Sequence, residues 1–235
     1  MNRVLRITLN TSPEQSERLR ALQQAFAQAC NTLAPLVQAQ RCWNRVALHH
    51  MSYRQLRQAH PALGSQMVCN VIYSVCRAAR LVYQSPGSPF NVARLGNQPL
   101  PLLRFTDTCA VYFDRHTLSL RSGQLSLYTL DGRMRFDLAL AAADEHAFHG
   151  SKLRELVLAR RSDGTFELIF TLQASADASA PAALPAPSTS GHAAPAALTA
   201  PSTSGHAAPA ALTAPEPSAP ELPQWPEFVM VEAHP

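Results

Sequence analysis

Six arginines stand in pairs, and the spacing of two of the pairs puts each on one surface. Arg133 and Arg135 flank Met134, so on a strand they share the face opposite it. Arg77 and Arg80 are three residues apart, which makes them neighbours on a helix. Arg160 and Arg161 adjoin a Ser-Asp-Gly turn. A guanidinium presents a planar fork of donors that matches phosphate oxygens, so such pairs suit contacts to a nucleic-acid backbone. The charge balance agrees. Of the 20 Lys+Arg residues 19 are Arg, with Lys152 the exception, and all lie at or before Arg161. Eleven of the 16 acids lie at or before Glu167, so residues 1–173 carry a formal +9 and the remainder −5. A GC-rich genome would account for Arg in place of Lys. It would not account for the surplus of cations, which points to a polyanion partner.

Patterns for other chemistry are weak. There is no Gly-rich phosphate loop and no nucleophile elbow. His49, His50 and His60 lack ligand spacing, and Cys30, Cys42, Cys69, Cys76 and Cys109 form no C-x-x-C pair. The cysteines read as small buried hydrophobes in a reducing compartment. Asp144, Glu145 and His146 read as a polar loop. No catalytic residue, metal or cofactor is therefore expected. "MNRVLRITLN" has no apolar signal core and no apolar run reaches membrane-spanning length, so a cytoplasmic protein without membrane contact is expected.

The elements that must hold these arginines change period along the chain. "RVLRITLN" (3–10) reads as a strand. A helix follows, with Ser12 as N-cap and Pro13 in the first turn, and an apolar stripe of Leu19, Leu22, Phe26, Cys30 and Leu33. Pro35 should end or kink it. "SYRQLRQAH" predicts a short helix stopped by Pro61, and "GSQMVCNVIYSVCRAARLVYQS" a longer one capped by Ser65. After Leu100 the period falls to two, with about six strands separated by turns at Asp114-Arg115, Ser122-Gly123, Asp131-Gly132 and Ser162-Asp163-Gly164. The expected fold is α+β: a small antiparallel OB-like β-barrel from 1–10 and 100–173, with a helical insertion at 11–90. Residues 174–223 are rich in Ala, Pro, Ser and Thr and contain "PSTSGHAAPAALTA" twice without change. They read as a disordered linker, and His192 and His206 as passengers of the duplication. Residues 224–235 read as a short apolar tail, either a docking peptide with Trp225, Phe228, Val229 and Val231 or a vestigial strand.

Three stretches resemble a known family. "LQQAFAQACNTLAPLVQ" (22–38) is similar to the first recognition helix of the TnpB-type RNA-guided nucleases of bacterial insertion sequences and their CRISPR type V relatives. "SYRQLRQAHPALGSQMVCNVIYSVCRAARLVYQ" (52–84) resembles the next recognition helices, and "LLRFTDTCAVYFDRHTLSLRSGQLSLYTLDGRMRFDL" (102–138) the wedge-domain meander. "LRELVLARRSDGTFELIFTLQ" is similar to the closing hairpin. The resemblance implies a guide-type RNA and target double-stranded DNA as partners. It also implies a target-motif reader at Tyr53, Gln66 and Asn70. Gln and Asn can bond the edge of adenine, and Tyr can stack or touch a thymine methyl. Arg77, Arg80, Arg133, Arg135, Arg160 and Arg161 would grip phosphates. The family's RuvC-like nuclease and Cys-rich zinc module are not matched here. Glu232 stands where the first Asp would be, but Ala233-His234-Pro235 follows instead of the expected Gly. The expectation is a nucleic-acid-binding module without nuclease activity of its own, with a separately encoded nuclease half as a further candidate partner. The alternatives are a decayed insertion-sequence fragment, half of a split effector, or an adaptor that docks through its tail.

Overall fold

The computed structural model describes residues 2–138, 140–173 and 229–232. The expected linker, with His192 and His206, and most of the expected tail, with Trp225 and Phe228, lie outside the described residues. The chain opens with strand β1 (Asn2–Thr8) and helix α1 (Pro13–Gln40). Ser12 caps α1 as expected. Its hydroxyl accepts from the Gln15 N–H at 3.1 Å, and the Gln15 side chain accepts from the Ser12 N–H at 3.0 Å. The stripe of Leu19, Leu22, Phe26, Cys30 and Leu33 is buried and extends to Val37.

Pro35 does not end the helix. It faces solvent, while Leu33, Ala34 and Val37 are buried around it. Burial of those side chains outweighs the one backbone hydrogen bond that proline cannot donate. Arg41, in the left-handed region at φ 46°, closes α1. Helix α2 (Arg45–Ala59) starts earlier than expected because Asn44 caps it, accepting from Val46 and Ala47 at 2.9 and 3.1 Å. Helix α3 (Ser65–Tyr83) has Gly64 and not Ser65 at its N-cap, and α4 (Val92–Leu95) is a single turn. No helix among the described residues is long and apolar enough to cross a membrane.

The rest is antiparallel sheet, in three pieces. Strands β2 (Leu102–Phe105), β3 (Val111–Phe113), β4 (Leu118–Arg121), β5 (Gln124–Thr129) and β6 (Gly132–Asp137) precede helix α5 (Ala142–Gly150). That helix holds Asp144, Glu145 and His146, which are therefore not a loop. Strands β7 (Lys152–Arg160) and β8 (Phe166–Gln173) form the closing hairpin, and β9 is Val229–Glu232. The sheets run β1-β8-β7-β3, β2-β9 and β4-β5-β6.

The first strand thus pairs with the closing hairpin, Leu5 opposite Phe170, and not with the 102–138 meander. The α+β class with antiparallel sheets is as expected, but among the described residues the strands do not close into the expected small barrel. Residues 114–117 connect β3 to β4. The Asp114 carboxylate accepts from the His116 and Thr117 N–H groups, both at 3.0 Å, and the Thr117 hydroxyl donates to it at 3.0 Å. Beyond this locally bonded turn β4 pairs with β5, while β3 pairs with β7, Val111 opposite Leu158. One apolar core still joins helices and sheets. Within it Phe170 meets Phe148 edge-on at 5.5 Å. Gln23 of α1 is fully buried and donates to the Cys109 carbonyl at 3.1 Å, tying the helix to the loop before β3.

Candidate nucleic-acid interface

The chain between α1 and α2, Arg41-Cys42-Trp43-Asn44, is pinned at both ends by helix caps. Between them Trp43 is half-buried, its ring 5.7 Å from that of Tyr83 and tilted 45°. Arg41 is held in turn: its guanidinium donates to the Gly96 carbonyl at 2.6 Å and to the Gln98 carbonyl. Two clefts of about 500 and 550 Å³ open on either side of Arg80 and Gln84, which line both. Arg41 and Trp43 wall one; Arg45, Tyr73 and Arg77 wall the other. No carboxylate lines either cleft among the described residues.

The arginines in this groove are not equivalent. The Arg77 Nε lies 2.6 Å from a Glu155 carboxylate oxygen, and its guanidinium sits 5.9 Å from the centre of the Tyr112 ring. The Tyr73 hydroxyl donates to the same carboxylate at 2.9 Å. Burial, then Glu155, pushes the Tyr73 phenol up, so it stays a neutral donor. Arg45 lies over the Tyr73 ring at 5.5 Å. Neither exposed Arg45 nor exposed Arg80 is in an ion pair among the described residues. Burial pushes the Cys76 thiol up to about 11, so it stays a neutral thiol at neutral pH. Two uncompensated guanidiniums beside a half-exposed indole can hold phosphates while a base stacks.

No family model matches the chain, and no curated protein matches it.

A second basic surface is the outer face of β4-β5-β6. Leu118, Leu120, Leu125, Leu127, Met134 and Phe136 point inward. Arg121, Tyr128, Arg133 and Arg135 are exposed. Arg133 lies 4.4 Å from the centre of the Tyr128 ring and donates to the His116 carbonyl at 3.1 Å. Arg133 and Arg135 share this face, Met134 between them pointing into the core. Arg160 and Arg161 stand at the β7–β8 turn, Arg160 half-buried and Arg161 exposed.

The three residues expected to read a target motif make separate contacts, with Gln66 and Asn70 one turn apart on α3 and Tyr53 on α2. Tyr53 stacks on His49 at 4.7 Å. The Gln66 amide donates to the Asp114 carboxylate. Asn70 is only 5% exposed, inside the packing, with its amide 4.0 Å from the Met67 sulfur. Its place follows from the apolar stripe: Met67 and Val71 on either side of it in sequence are buried. Among the described residues no hydrogen bond or ring contact joins the three.

Arg77 and Arg80 do share the groove, as their spacing predicted. Arg41, Trp43 and Arg45 were missed. Their signal was present in "RCWNR" (41–45), where two arginines flank a tryptophan at alternate positions. No group of three His, Cys, Asp or Glu side chains converges among the described residues.

Proposed function

We propose that the chain is a nucleic-acid-binding module related to the wedge and recognition half of TnpB-type RNA-guided nucleases. In this reading it holds a guide-type RNA and target double-stranded DNA, has no nuclease activity of its own, and works beside a separately encoded nuclease half. The three sheets would be an opened form of an OB-like wedge, with helices α1 to α3 as the recognition insertion. One observation carries the proposal: the groove around Arg80, with Arg41, Arg45, Trp43 and Tyr73 on its walls and no acid among its lining residues. Arginine supplies affinity for the sugar–phosphate chain and the aromatic rings accept bases of any sequence, so the groove suits nucleic acid better than a small metabolite.

The test is direct. Purified chain is titrated into labelled single-stranded RNA and duplex DNA, and nucleic acid that copurifies with it is sequenced. Binding at 0.1 M salt, weakened by salt, supports the reading. A chain that carries no nucleic acid and shifts neither probe overturns it. Cleavage of either probe in the presence of Mg²⁺ would overturn the non-nuclease part alone.

A further inference from the structure

Gln84 closes α3 and lines both clefts of the groove. Its backbone N–H donates to the Arg80 carbonyl at 2.9 Å, so the last turn of the helix fixes its place. Its side chain is exposed and makes no hydrogen bond among the described residues.

The other polar groups around the Trp43 cleft are already committed. The Asn44 oxygen accepts from the Val46 and Ala47 N–H groups at 2.9 and 3.1 Å, which leaves that amide a donor alone. The Arg41 guanidinium donates to the Gly96 carbonyl at 2.6 Å and to the Gln98 carbonyl. The Cys42 thiol is a weak partner. Arg80, outside every ion pair among the described residues, is the cation available to a phosphate. Gln84 stands one turn beyond it on α3, so one side chain can meet the sugar–phosphate chain while its neighbour reaches a base. The Gln84 amide is thus the group in this cleft that offers a donor and an acceptor together.

We propose that the Trp43 cleft takes one unstacked adenine of a nucleic-acid strand, stacked on the indole and read by the Gln84 amide through its N6 amino group and N7. The cleft, of about 550 Å³, has room for a purine. Adenine answers the amide with one donor and one acceptor; guanine offers two acceptors, N7 and O6, which suit a guanidinium, and pyrimidines have no N7. The proposal rests on the groove reading above and adds a preference to it. Phosphate contacts and stacking accept any sequence, whereas an amide on a base edge does not.

The probes are labelled RNA 12-mers: U12, and the same strand with one central uridine replaced by adenosine, guanosine or 7-deazaadenosine. Fluorescence anisotropy at 0.1 M salt should show the full-length chain binding the adenosine probe about tenfold more tightly than U12, the scale of one two-bond base contact. The preference should vanish with 7-deazaadenosine, which lacks the N7 acceptor. In Gln84→Met, which keeps the side-chain length without the amide, the adenosine probe should bind no better than U12. The slope of log K against log salt should keep its parent value there, because no phosphate contact is lost. A thermal melt is the fold control. A preference that survives in Gln84→Met or with 7-deazaadenosine overturns the assignment, and so does tightest binding of the guanosine probe. A chain that binds all four probes equally overturns the adenine reader and leaves the groove standing. A chain that binds none of them overturns the groove reading and this proposal with it.

Discussion

Replacing Arg45 and Arg80 together with Gln removes two exposed guanidiniums that are outside every ion pair among the described residues. If each holds one phosphate of a single strand, the slope of log K against log salt falls by about 1.4, at about 0.7 per contact. That term vanishes near 1 M salt, so at 0.1 M the double variant binds about 25-fold more weakly, and at 0.3 M only about fivefold. The assay is fluorescence anisotropy of a labelled single-stranded RNA across 50 to 300 mM salt, with a thermal melt as the fold control. Arg6→Gln is the charge control. It removes half as much net charge, and Arg6 sits on β1 and pairs with Glu167 at 2.8 Å, so its slope should match the parent chain. The reasoning fails if the double variant keeps the parent slope. It also fails if Arg6→Gln lowers the slope by half as much, since binding would then follow total charge and not this groove.

Trp43 fluorescence should be quenched by single-stranded RNA, with the quench lost in Trp43→Phe and kept in Trp225→Phe, because the Trp43 ring lines the cleft. Asn31→Leu should cost about 2–4 kcal/mol in urea unfolding, since the Phe105 N–H and carbonyl would both lose their partner. Hydrogen bonds from the Thr165 hydroxyl and N–H, both to the Asp163 carboxylate, hold that carboxyl below its usual range. A folded-state value below the unfolded one of about 3.9 means the stabilisation is present above that pH and is lost as pH falls through the folded value. NMR titration of Asp163 should show the depressed midpoint, and Thr165→Val should raise it.

Much of the secondary structure was legible because it is fixed by neighbours in sequence. Ser12, Pro13 and Gln15 define where α1 begins, and the 3.6-residue stripe of Leu19, Leu22, Phe26 and Cys30 defines which side is buried. The alternation in "RMRFD" put Met134 and Phe136 inward and Arg133 and Arg135 outward without reference to any other strand. The surplus of arginine before residue 162 likewise needed no coordinates. Tertiary structure decided what short-range pattern cannot carry. Burial of Leu33, Ala34 and Val37 overrode the helix-breaking signal of Pro35. Pairing of β3 with β7, Val111 opposite Leu158, set β3 in a different sheet from β4. The same distinction runs through the candidate interface: spacing placed Arg77 and Arg80 on one helix, but only folding set Glu155, 78 residues away, against Arg77 and left Arg80 uncompensated. A guanidinium's value to a polyanion depends on the charges around it, and those charges arrive from distant strands.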